Sequence, residues 1–132
     1  MRKVCIAIML CLPFPLFSAS SDDVTDVMKR IKWLGGSTVS LESRSGVVIY
    51  VDLADCTPSK KGDVILYTHP HGDHYVPGIA EDVAQPAALI AAPFEIPSGK
   101  IIKIGETIDR KDVRIMAVPA YNIKKAGLHP KE

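Results

Sequence analysis

Three of the four histidines in this chain fall within six residues, His69-Pro70-His71-Gly72-Asp73-His74, with one aspartate among them. Imidazole nitrogens and a carboxylate crowded together are donors for a borderline-soft divalent cation such as zinc. In an extended segment, side chains two apart point the same way, so His69 and His71 can grip one ion together. Gly72 lets the backbone turn sharply, which brings Asp73 and His74 toward a second position nearby. Pro70 lacks a donor and stiffens the loop, lowering the entropy cost of holding the ligands. The plain alternative is a solvated, histidine-rich turn that binds nothing. It accounts poorly for three histidines clustered directly after a buried strand.

That strand is Val64-Ile65-Leu66-Tyr67, an apolar run of the length and composition that a buried strand needs. The spacing predicts a helix over Asp22 to Arg30, with acidic residues in its first turn and Lys29-Arg30 in its last. Thr38 to Ser43 and Val47 to Val51 read as a hairpin around Ser45-Gly46. Tyr75 to Gln85 fits a helix starting just after the histidine loop. Ala87 to Ala92 and Lys100 to Ile104 are further strands, and Glu106 to Val118 reads as two strands turning at Arg110-Lys111. Asp52 and Asp63 sit beside the strands aimed at the loop. There a carboxylate can accept the second N–H of a metal-bound imidazole, or simply cap a turn.

The pattern His-x-His-x-Asp-His, from His69 to His74, resembles the signature of the metallo-β-lactamase superfamily, whose members are mostly zinc-dependent hydrolases. Ile31-Lys32-Trp33-Leu34-Gly35-Gly36-Ser37-Thr38-Val39 is similar to the opening strand and turn of that fold. Val47-Val48-Ile49-Tyr50-Val51-Asp52 is similar to the strand that follows. Val118-Pro119-Ala120-Tyr121-Asn122, with His129-Pro130-Lys131 after it, resembles a bacterial and archaeal branch of the superfamily. The resemblance implies an α+β fold, the metallo-β-lactamase-like αββα sandwich of two βα halves with metals at their join. This chain would form about one such half, the N-terminal one, over residues 21–132.

The resemblance also implies a ligand set. His69, His71 and His129 would hold one zinc, while Asp73 and His74 contribute to a second position. His129 stands 55 residues beyond His74, and its alternative is a surface histidine. One or two zinc ions are expected, and iron or manganese suits the same donors. In such relatives a metal-bound hydroxide attacks an ester-like or amide-like small molecule, with Asp73 orienting the hydroxide or accepting its proton. The rival expectation is a catalytically inactive metal-binding fragment that associates with itself or a partner. Half a sandwich would leave one apolar sheet face uncovered, and such a face invites self-association.

Residues 1 to about 20 read as a cleaved signal peptide: Arg2 and Lys3, an apolar run from Val4 to Phe17, then Ser18-Ala19-Ser20. A stable membrane span needs roughly 20 apolar residues, and Pro13 and Pro15 interrupt this run. A periplasmic or secreted location follows. Cys5 and Cys11 leave with the signal, so Cys56 stands alone in the mature chain as a packing residue. Length (132 residues) permits one domain, and 47% hydrophobic with 23% charged residues is ordinary for a globular one. Without Arg2 and Lys3, 14 basic residues face 15 acidic ones. No basic stripe points to nucleic acid.

Overall fold

The computed structural model describes residues 6–11 and 21–120. Its main sheet has six strands in the order β2 (Ile31–Gly35), β3 (Thr38–Glu42), β4 (Val48–Val51), β5 (Gly62–Leu66), β6 (Ala84–Ala92) and β7 (Lys100–Ile101). The first three run antiparallel, and β4 through β7 run parallel. Antiparallel β8 (Thr107–Arg110) and β9 (Val113–Pro119) form a second sheet with β1 (Ile6–Cys11). Helices α1 (Ser21–Lys29) and α2 (Ile79–Val83) complete the described elements. None of the described helices is long and apolar enough to cross a membrane.

Side-chain alternation explains why the central strands are apolar throughout. Ile49, Val64 and Leu66 point to one face of the main sheet, where Val113, Ile115 and Ala117 of β9 cover them. Val48, Tyr50 and Ile65 point to the other face, packed with Leu53 and with Ala80 and Val83 of α2. Strands buried on both sides read as continuous hydrophobic runs. This corrects the expectation of a wholly uncovered sheet face. Among the described residues, uncovered apolar surface on the main sheet is concentrated at its margins: Ile31 and Trp33 on β2, the latter 74% exposed, and Ile101 on β7.

Other boundaries differ for local reasons. The helix expected over Tyr75 to Gln85 shrinks to Ile79–Val83. Pro77 disfavours helical backbone in the residue before it, and Gly78 adopts φ +93° at the helix start. Strand β6 begins at Ala84, earlier than expected, and its pairing with β5 is irregular between Gly62 and Val64, opposite Pro86, which lacks a ladder donor. Strand β7 ends at Ile101, before a turn in which Glu106 N–H donates to Lys103 O at 2.9 Å. Inside the segment read as a signal peptide, Ile6–Cys11 lies along β9, with Ile6 opposite Pro119 and Cys11 opposite Arg114.

Candidate metal site

Strand β5 delivers the histidine loop. Tyr67, Leu66 and Ile65 are fully buried, so the chain leaves the sheet from a fixed point. The loop closes on itself, because the N–H groups of His74 and Tyr75 both donate to His71 O, at 2.9 and 2.8 Å. This single turn gathers the three imidazoles. The His69 and His74 ring centroids are 3.9 Å apart, and those of His69 and His71 are 4.7 Å apart. His69 is buried, while Asp73 is 73% exposed at the loop tip.

Asp52, at the end of β4, organises the set. It is buried and adopts φ +52°, and its N–H donates to Leu66 O at 2.8 Å. Its carboxylate accepts from Thr68 N–H at 2.7 Å, from the Thr68 hydroxyl at 2.8 Å, and from His74 Nδ1 at 2.8 Å. Thr68 Oγ1 also lies 2.9 Å from His69 Nδ1. A hydroxyl has one proton, and a carboxylate only accepts. Thr68 therefore donates to Asp52 and accepts from His69 Nδ1–H. One carboxylate thus sets the tautomer of two histidines, directly for His74 and through Thr68 for His69. With each Nδ1 donating, the lone pair of both rings falls on Nε2.

The neighbouring turn holds the loop from the other side. Gly35 and Gly36 make a tight turn between β2 and β3, with φ +123° and +51°. The Ser37 hydroxyl after it donates to Asp73 O. Thr38, buried, donates to Asp52 O at 2.8 Å and accepts from Ala54 N–H at 3.3 Å. Thr68, Ser37 and Thr38 carry no obvious sequence signal beyond adjacency to the motif and to Gly35-Gly36.

The placement of the expected site residues is uneven. His69, His71, Asp73, His74 and Asp52 come together. Asp63 does not: it lies at the opposite end of β5, where its carboxylate accepts from Val48 N–H at 2.9 Å and ties β4 to β5. That is a strand-bracing role, and it corrects the expectation that Asp63 supports an imidazole. His129 lies outside the described residues. Among the described residues, no three His, Cys, Asp or Glu side chains form a closed cage for one ion. One pair among them has a spacing that suits a divalent ion. His74 Nε2 and Asp73 Oδ2 are 3.6 Å apart, close to the roughly 3.4 Å edge of a tetrahedron with metal bonds of about 2.1 Å.

A family model for the beta-lactamase superfamily domain matches residues 30–132. The chain belongs to the beta-lactamase superfamily. A metal-dependent hydrolase of Polaromonas sp. (strain JS666 / ATCC BAA-500) is 30% identical over 109 residues, covering 74% of this chain and 38% of that protein. A candidate metal-dependent hydrolase from Parabacteroides distasonis ATCC 8503, known as a crystal structure, superposes with a TM-score of 0.62 at 31% identity. It covers 73% of this chain and 47% of its own. This superfamily member therefore spans less than half the length of either relative. The mixed sheet, with helix on one face and a second sheet on the other, is the α+β architecture of a metallo-β-lactamase-like fragment.

Proposed function

We propose that this chain carries the metal-binding half of a metal-dependent hydrolase acting on ester-like or amide-like small molecules. The reading rests on one observation: His74 is held between the buried Asp52 carboxylate at Nδ1 and the exposed Asp73 carboxylate facing Nε2. A carboxylate behind a ring nitrogen fixes the ring and makes the other nitrogen a better ligand. His69, His71, Asp73 and His74 would hold zinc, with His129 as a further donor. Bound zinc would supply Lewis acidity and make water a nucleophile near neutral pH. Asp73, at the solvent-facing tip, orients the attacking water and takes up its proton. Asp52 and Thr68 keep the imidazoles in the ligating tautomer. Residues 1–20, with their basic start and apolar run, would direct the chain to the periplasm or outside the cell.

The test is elemental analysis of the purified, zinc-loaded chain, followed by assays on chromogenic ester and amide substrates. About one zinc per chain with turnover supports the hydrolase. Absence of bound metal after loading overturns the proposal. Metal without turnover favours the second reading, an inactive metal-binding fragment. That reading has its own observation: among the described residues, no three His, Cys, Asp or Glu side chains form a cage for one ion.

A further inference from the structure

A hollow of about 360 Å³ lies on the α2-side face of the main sheet, toward the end of β3, β4 and β5 opposite to the histidine loop. Its floor is built by cross-strand register. Lys32 on β2 stands opposite Ser40 on β3, and Ser40 stands opposite Tyr50 on β4, so these three side chains form one row. Leu34, half-buried, adds apolar surface beside the row, and the buried Val48 lies beneath it. The Tyr50 hydroxyl donates to Lys60 O at 2.8 Å, which pins the Cys56–Lys60 loop as the far wall. Its volume is at the lower end of the range for small-molecule sites, roughly 300–1,000 Å³.

The charges around it are unequal. Lys29, Arg30, Lys32 and Lys60 line the hollow, against one carboxylate, Glu42. Two of the cations are already paired, Arg30 with Asp26 at 2.5 Å and Lys60 with Glu42 at 2.7 Å. Among the described residues, Lys29 and Lys32 have no ion-pair partner. Two ammonium groups without a salt-bridge partner among the described residues, beside the half-buried Leu34, Cys56 and Pro58, select a particular chemistry. They suit an oxyanion that carries a flat apolar body, because the body displaces water from the floor while the anion meets the lysines. Neither an inorganic anion nor a neutral ring satisfies both halves of the surface.

We propose that this hollow is a second binding site, distinct from the histidine loop, for a small organic phosphate or carboxylate built on a ring. The half-buried Cys56 thiol lines it and is a native reporter of occupancy. The experiment alkylates the full chain, stripped of metal, with iodoacetamide and follows the peptide Ser45–Lys60 by mass spectrometry while phenyl phosphate is titrated. Saturable protection is expected, with labelling slowed about tenfold when the probe stands near ten times its Kd. Lys32→Gln and Lys29→Gln each raise the half-protecting concentration about tenfold, the worth of one charged hydrogen bond. Three results overturn the proposal: unchanged labelling with excess probe, equal protection by phenol, or equal protection by inorganic phosphate. Because the readout is local to Cys56 and needs no metal, its failure leaves the hydrolase reading untouched, and the reverse also holds.

Discussion

Asp52 and His74 are 22 residues apart in the chain and 2.8 Å apart in space, carboxylate against Nδ1. The contact joins the end of one buried strand to the loop that leaves the next. It gives one ring of the histidine-rich loop a defined tautomer and direction. The same carboxylate also receives the backbone and hydroxyl of Thr68, so its loss is felt at both ends of the loop.

Replacing Asp52 by Asn should therefore damage metal binding more than folding. The amide oxygen can still accept from Thr68 N–H, but the amide nitrogen then faces His74 Nδ1 and forces its proton onto Nε2. Affinity for a loaded divalent ion is expected to fall between 10-fold and 100-fold, roughly the cost of losing such an outer partner. Competition against a calibrated chelator measures it. An unchanged affinity would show that Asp52 does not govern the ring.

Asp112 ties two turns together across the sheets. Its carboxylate accepts from the Ser45 hydroxyl at 2.5 Å, the Ser43 hydroxyl at 2.8 Å and Ser45 N–H at 3.0 Å. Those bonds, the Ser45 hydroxyl first, pull its pKa from 3.8 down to about 2. A lowered folded-state value means the stabilisation is complete above about pH 4 and disappears as pH falls from 3.8 to about 2. Asp112→Asn should lower stability at pH 7 by no more than about 1 kcal/mol, since solvent screens this half-buried group. Urea unfolding at pH 7 and pH 2 tests the sign: the difference between wild type and variant should be mostly lost at the lower pH.

Gly62 is placed by close approach, not by backbone conformation. A Cβ there would lie 2.9 Å from the Tyr50 ring, which is buried and held by its hydroxyl. Gly62→Ala should cost about 1–3 kcal/mol, as overpacking of a filled core does. Equilibrium denaturation showing a loss under about 0.5 kcal/mol would mean that the Tyr50 ring can move aside.

The Tyr67 hydroxyl is buried beside Tyr75 with no hydrogen-bond partner among the described residues, and burial raises its pKa far above that of a free phenol. Removing an unsatisfied buried group relieves a desolvation cost. Tyr67→Phe is accordingly expected to leave stability unchanged or raise it by about 1 kcal/mol. A clear drop in melting temperature would reveal a partner for that hydroxyl.

Much of this was legible from residue types alone. Continuous apolar runs located the central strands, because a strand buried on both faces has no polar side to interrupt it. The histidine cluster was legible because its donors are adjacent in sequence. Asp52 could be named, since strand β4 aims it at the loop, but Asp63 could not be separated from it. Both are aspartates beside strands, and only the direction of β5 shows that one is at the near end and the other at the far end. The helix after the loop was overextended because composition alone does not reveal how strongly Pro77-Gly78 interrupts it. The roles of Thr68, Ser37 and Thr38 were hidden because hydroxyls act here through contacts distant in sequence. The Ser37–Asp73 contact spans 36 residues.

The loop's own closure has a dynamic consequence. Its internal bonds, from His74 and Tyr75 to His71 O, are separate from the bonds that tether it through Thr68, Asp73 and His74. Amide hydrogen exchange should therefore divide the region into two cooperative units. The amides of Asp52 and Tyr67, bonded to Leu66 O and Ala91 O, should exchange with the sheet. The Thr68 amide, bonded to the Asp52 carboxylate, should open sooner as the loop swings out as one preformed claw, while those of His74 and Tyr75, bonded inside it to His71 O, stay protected until the claw itself opens.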